Sequence, residues 1–304
     1  MEAKSKTYFV CSDIHGYYDE MVESLNIAGY RRDDESHVLV VLGDIFDRGQ
    51  KPLEIYSFLR EIPKERRILI RGNHEQLLKE LVERGYALQH DYHNRTYDTL
   101  FQLMGYENSD DFLYKRYSEE IDLNIKPGTK EHNKFEEKWD KKRKQVFSNQ
   151  LLKDILKWID SNEWQDYFET DKYIFVHSYI PLRRFIDLEK TLQIGQIVTY
   201  NDDEYRVDWR NATPTEWDDA KWGCPWKNEL RGLNKTGKTI VCGHWHTSDF
   251  FNNLLYKNQK SKQLDPRVSN PMFKSEKYPG LIGLDACTAL TKAVNVLVLS
   301  ENEL

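Results

Sequence analysis

Five short segments of this chain hold side chains that bind metals, hold phosphate or move protons. They are Asp13-Ile14-His15-Gly16, Gly43-Asp44-Ile45-Phe46-Asp47-Arg48-Gly49, Arg71-Gly72-Asn73-His74-Glu75, the lone His177, and Gly243-His244-Trp245-His246. Each follows an apolar run of strand type. In open α/β sheets the ligand crevice lies beyond the carboxyl ends of the strands, so five such segments would bring carboxylates, an amide, imidazoles and guanidinium groups to one rim. The other histidines, His37, His90, His93 and His132, lie elsewhere and read as ordinary solvated side chains. Gathering five histidines and three aspartates at one edge costs desolvation unless a metal ion or a substrate compensates.

The donor types select the metal. Aspartate, histidine and asparagine without thiolate suit a divalent ion such as Mn, Fe or Zn, and they disfavour a structural cysteine-rich zinc site. Asp44, with two oxygens and a central position, could bridge two ions about 3.5 to 4 Å apart, with a bridging hydroxide as nucleophile. Arg48 and Arg71 offer planar, always-charged forks that fit phosphate oxygens, and Gly49 and Gly72 beside them let backbone approach closely.

The elements that must position these groups read as strands over Thr7–Ser12, His37–Gly43, Arg67–Arg71, Lys172–His177, Lys238–Gly243 and Leu281–Asp285. A seventh, Ala293–Leu299, follows after a turn-length gap and is expected to lie antiparallel beside the sixth. Helical patterns over Tyr18–Gly29 and Pro52–Glu61 link the first three strands as βαβ units, a parallel α/β core. The chain reads as one domain over residues 1–304 with insertions at about 86–147 and 182–235. The first is a charged helical insertion or lid that ends in the basic run Lys138–Lys144, a solvated helix face. The run from Leu151 to Ile159 has helical spacing and should pack back on the core. The tryptophans Trp209, Trp217, Trp222 and Trp226 are expected as core of the second insertion. Gly232–Thr239 fits the pattern G-x-x-x-x-G-K-[ST], but a strand follows it where a phosphate-binding loop needs a helix, so it is read as a turn.

Composition sets the outer limits. Of 304 residues 39% are hydrophobic and 31% charged, and 44 basic against 50 acidic residues leave a formal charge of −6. That balance gives no footprint for general nucleic-acid binding. No run approaches a membrane span, the N-terminus lacks the apolar core of a secretory signal, and Cys11, Cys224, Cys242 and Cys287 form no C-x-x-C pair. These features lead us to expect a cytoplasmic protein with no membrane partner and no disulfides.

In order and spacing, the D-x-H-G, G-D-x-x-D-R-G and G-N-H-E segments, followed by His177 and Gly243-His244, resemble the signature of the calcineurin-like metallophosphoesterases, specifically the phosphoprotein phosphatase family with its bacterial and phage members. The resemblance covers the chain from end to end apart from the insertions. It implies an α/β fold of the metallophosphoesterase type, a β-sandwich of two mixed sheets flanked by helices, and two divalent metal ions, Mn first, with Fe or Zn as alternatives. Asp13, His15 and Asp44 would hold the first ion, and Asp44, Asn73, His177 and His244 the second. His74 would be the general acid, oriented by Asp47, with Arg48, Arg71 and Asn73 around the phosphate. His246 matches the G-H-x-H of the wider superfamily, where the second histidine completes the first metal site. The family's further phosphate-binding arginine has three candidates here, Arg183, Arg184 and Arg210.

The reading that follows is hydrolysis of phosphate monoesters, on phosphoserine or phosphothreonine in proteins or on a small phosphorylated compound. A dinucleoside polyphosphate, an RNA end or a cyclic phosphate would use the same centre. A catalytically silent scaffold is the alternative from another class, and it is disfavoured because neither a ligand nor the acid is missing.

Overall fold

The computed structural model describes residues 5–184, 205–207 and 209–304. Strands β1 (Thr7–Cys11), β2 (His37–Val41) and β3 (Arg67–Ile70) lie parallel, with Val10 opposite Val40 and Leu39 opposite Arg67. Helices α1 (Tyr18–Ile27) and α2 (Pro52–Glu61) connect them, as the periodicity implies. A short β4 (Trp164–Gln165) extends this sheet beyond β3. The second sheet runs β10 (Phe273–Lys274), β11 (Leu281–Gly283), β9 (Thr239–Cys242), β6 (Tyr173–Val176) and β5 (Tyr167–Glu169). Both sheets are mixed. Strands β7 (Leu182–Arg184) and β8 (Tyr205–Val207) form a separate two-stranded ribbon.

One expected pairing is corrected. The last strand, β12 (Leu297–Ser300), does not lie beside β11; it crosses to the first sheet and pairs antiparallel with β1, Thr7 opposite Ser300. Between β11 and β12 the chain turns through left-handed Cys287 and Lys292 around a one-turn helix, Thr288–Thr291. Leu297 and Leu299 then face the same interior as Val10, which burial rewards more than a hairpin at the sheet edge would.

Side chains alternate across each strand, and both faces are apolar. Between the sheets lie Val10, Val40, Leu42, Ile70, Phe175, Val241 and Ile282. On the outer face of the first sheet Phe9, Cys11, Leu39, Val41 and Leu69 pack under helices, and on that of the second Ile174, Val176, Ile240 and Cys242 do the same. Strands covered on both sides need continuous apolar runs, which is how they read in the sequence.

Residues 86–147 form α4 (Gln89–His93), α5 (Thr96–Gln102), α6 (Ser109–Asp122) and α7 (Lys130–Val146), after α3 (Asn73–Arg84). Their inner side chains, Leu100, Phe101, Phe112, Phe135 and Trp139, join the cluster that contains Phe9 and Leu39. The basic run lies on α7, with Trp139 buried and Lys144 and Arg143 both paired to Asp140. α8 (Gln150–Ile159) buries Leu152, Ile155, Trp158 and Ile159 on the core, its first turn capped by Asn149. Of the four tryptophans, Trp209 and Trp217 are buried and Trp226 packs partly, but Trp222 is 50% exposed and is not core. Gly232–Lys238 is a turn held by the Asn234 side chain, leading into β9. Among the described residues no helix is long and apolar enough to cross a membrane.

Candidate metal centre

The loops after β1, β2 and β9 contain residues in an unfavourable backbone region. Asp13, His15, Asp44, Asp47, Arg48 and His244 all have φ between 50° and 71°. Such a conformation is costly for non-glycine residues and persists only where the surroundings impose it. Close backbone approach does so here. A Cβ on Gly72 would lie 2.1 Å from Asp44 Oδ1 and 2.5 Å from Asp44 N, so only glycine lets these two loops touch. Glu75, fully buried, clamps them by accepting the N–H groups of Asp44 (3.0 Å), Ile45 (2.9 Å) and Gly72 (2.7 Å). Burial and the neighbouring Asp44 push its carboxyl up to about 7, against those three donors.

Two groups of possible metal donors meet at Asp44: His15, Asp44 and His74, and Asp44, His177 and His244. His15 gives its Nδ1–H to the Phe46 carbonyl (3.0 Å), which leaves Nε2 facing Asp44 Oδ2 at 3.8 Å and Asp13 Oδ1 at 3.9 Å. His177 gives its Nδ1–H to the Leu42 carbonyl (2.7 Å). Its Nε2 lone pair then faces Asn73 Oδ1 at 2.8 Å, His244 Nδ1 at 3.2 Å and Asp44 Oδ1 at 3.5 Å. Asn73 Oδ1 and the ionised Asp44 can only accept, so these contacts repel unless a cation lies among them. Ligands about 2.1 Å from one ion sit roughly 3.0 to 3.4 Å apart, close to the spacings seen.

The electrostatics fit the same cation. Burial lowers His15 and His177, and burial with the neighbouring His177 takes His244 down to about 3, so the imidazoles are neutral and keep their lone pairs. Burial, Asp285 and Asp44 push Asp13 well above the carboxylate range, despite bonds from the Ser12 hydroxyl and the His244 N–H. For Asp44 burial acts upward, but the charge that His177, His74, His15 and His244 carry when protonated acts downward more strongly and leaves the carboxyl below its ordinary value. Buried carboxylates that repel one another, beside imidazoles aimed inward, are the donor set of a divalent-ion site.

His74 stands beside this set. Its Nδ1–H donates to Asp47 Oδ2 at 2.7 Å, and its other nitrogen is 3.8 Å from Asp44 Oδ2 and 3.5 Å from Arg48 Nη2. Burial acts to lower its pKa, but Asp44 and Asp47 more than compensate and raise it. Asp47 is itself fully buried and accepts the hydroxyls of Thr96 (2.6 Å) and Thr99 (2.9 Å) from α5.

Other expected site residues lie further out. Arg71 contacts Ile159 O, Ser161 O and Asp166 at 3.3 to 3.5 Å, long bonds that hold it loosely at a groove it shares with Gly72 and Lys221. Arg210 lies over the Trp209 ring and pairs with Glu169, and the side chains of Arg183 and Arg184 fall outside the described residues. His246 belongs to neither donor group. Nothing in the local sequence marks Glu75, Asp285, Thr96 or Thr99 for a role at this site. A third carboxylate and histidine group, Glu120, His132 and Glu136, is half-exposed, and Arg116 pairs with both glutamates.

The profile of the calcineurin-like phosphoesterase family matches residues 6–248, and the chain belongs to that family, whose members hydrolyse phosphoester bonds with two metal ions. A bis(5'-nucleosyl)-tetraphosphatase, PrpE [asymmetrical], of Bacillus velezensis is 36% identical over 74 residues, 22% of this chain and 30% of that protein. The serine/threonine-protein phosphatase SIT4 of Candida albicans is 39% identical over 70 residues, 22% of each. The chain thus spans less than a third of the length of either relative. Among solved structures, the protein serine/threonine phosphatase of Saccharomyces cerevisiae with similarity to human phosphatase PP5 superposes with a TM-score of 0.42 at 14% identity, over 97% of this chain and 79% of the other.

Proposed function

We propose that this protein is a metal-dependent phosphomonoesterase acting on phosphoserine or phosphothreonine in proteins, or on a small phosphorylated compound. The observation that carries the reading is His74, tied at Nδ1 to Asp47 and with Nε2 3.5 Å from Arg48 Nη2 and 3.8 Å from Asp44 Oδ2, beside the donors around Asp44. In this reading Asp13, His15, Asp44 and His246 hold one ion, and Asp44, Asn73, His177 and His244 the other. Manganese suits the mixture of carboxylate, amide and imidazole donors, with Fe or Zn as alternatives. When bound, such ions polarise phosphoryl oxygens and lower the pKa of water. His74 gives its Nε2 proton to the departing oxygen, and Asp47 keeps the imidazole in the tautomer and orientation that allow it. Arg48, beside His74, faces the phosphate, and Arg71 turns from its long contacts to do the same.

Hydrolysis of p-nitrophenyl phosphate by chelator-stripped protein, with Mn titrated back and His74→Asn run in parallel, tests the reading. Mn-dependent turnover that collapses in the variant is expected; turnover indifferent to both metal and His74 would overturn it. The PrpE relative supports a second reading, cleavage of a dinucleoside tetraphosphate at the same centre. Preference for diadenosine tetraphosphate over a phosphoserine peptide would establish that reading in place of the first.

A further inference from the structure

We propose that Thr96 and Thr99 are positioning residues for the proton-donating pair, so that the helical segment after α3 is part of the catalytic apparatus. The proposal rests on the acid role given to His74 above. Asp47 sits at φ 71°, a backbone conformation that does not by itself fix where a side chain points. Three donors fix it instead. Oδ2 accepts the Nδ1–H of His74 at 2.7 Å and the Thr96 hydroxyl at 2.6 Å, and Oδ1 accepts the Thr99 hydroxyl at 2.9 Å. Asp47, Thr96 and Thr99 are each 0% exposed, so no bulk water replaces a lost donor.

The spacing is that of one helix face. Thr96 and Thr99 are three apart on α5, and Gln102, three further on, donates to the Gly49 carbonyl at 3.1 Å. This face therefore grips the loop that carries Asp47 and Arg48 at two places. Asp47 touches His74, and the threonines touch Asp47 alone among the residues of the pair. Their effect on chemistry must pass through the carboxylate: without the hydroxyls it is free to rotate, and the imidazole loses the partner that orients it.

Removing that orientation harms reactions in proportion to their need for a proton. A poor leaving group such as phenoxide requires protonation as the P–O bond breaks, whereas 2,4-dinitrophenoxide departs as the anion. The test compares phenyl phosphate and 2,4-dinitrophenyl phosphate with the Mn-loaded wild type, His74→Asn, the double variant Thr96→Val/Thr99→Val, and Thr96→Ser/Thr99→Ser. The valine variant should lose about tenfold to a hundredfold in kcat on phenyl phosphate and less than about threefold on the dinitrophenyl ester, with KM unchanged, and the serine variant should recover. Equal losses on both esters, no loss, or no recovery with serine would overturn the proposal.

If His74→Asn shows no such selectivity, the acid role itself is wrong. If it does and the valine variant does not, only the threonine proposal falls. Should the wild type turn over neither ester, the His74 imidazole proton decides by NMR, assigned by its loss in His74→Asn. A resonance shifted or lost in the valine variant supports the threonines, and an unchanged one removes them. Thr99→Val alone goes through the same measurements if the double variant lacks the wild-type circular dichroism.

Discussion

The two donor groups share Asp44 and differ in where their other members come from. His15 lies on the loop after β1 and His74 in the first turn of α3, just after β3, so the first group belongs to one sheet and to the first 74 residues. His177 and His244 follow β6 and β9, so the second exists only when the two sheets close on each other. The Leu42 carbonyl, at the end of β2, holds His177 from across that interface. The first group is therefore a product of local chain geometry and the second of packing, and perturbations should separate them.

Asp44→Asn, at the shared position, should cost most: loss of both ions by elemental analysis and at least about a thousandfold in turnover, since a neutral amide cannot balance two divalent charges. Retention of either ion would mean the groups are independent. Phe175→Ala, which removes a fully buried ring stacked on Phe168 between the sheets, should cost about 3 to 5 kcal/mol in urea unfolding. In the molecules still folded it should weaken the second ion more than the first, read by metal titration; equal weakening would dissolve the distinction. His246→Gln should lower affinity for the first ion by about tenfold to a hundredfold and spare the second. Loss of the second ion instead would place His246 with that ion.

The smallest effect concerns the first sheet alone. Burial raises the Glu163 carboxyl, but Lys64, Arg67 and the Trp158 indole outweigh it and hold it at about 2. A folded-state pKa below the unfolded one contributes stability above roughly pH 4.5 that is lost as pH falls toward 2. Urea midpoints between pH 6 and 3 should fall less steeply in Glu163→Gln than in the wild type; parallel curves would deny Glu163 that role.

The same division governs what could be read in the sequence. Asp13, His15, Asp44 and His74 announce themselves because each follows a strand within a βαβ repeat, where chain order and spatial order agree. His177 and His244 stand out as histidines after apolar runs, but their convergence on Asp44 is a matter of two sheets meeting, and nothing local states it. The short gap before β12 suggests a hairpin with β11, whereas burial of Leu297 and Leu299 between the sheets prevails. Thr96 and Thr99 carry only a three-residue spacing on a helix, a pattern that gains meaning once Asp47 is seen beneath them. Glu75 and Asp285 read as ordinary acids until their burial is known. Trp222 shares its surroundings in the sequence with Trp209 and Trp217, which are buried, and Trp226, which packs partly, yet it is exposed.

The pairing of Thr7 with Ser300 imposes an order on biosynthesis. At a ribosomal rate of about 5 to 20 residues per second, β1 emerges roughly 15 to 60 s before the strand that completes its edge. Through that interval the nascent sheet presents an open, apolar border on the side that β12 will later cover, a surface that invites pairing with other chains. His244, one of the possible donors that meet at Asp44, is translated only after β9. Until β12 is translated, β1 lacks the strand that covers its edge in the finished fold.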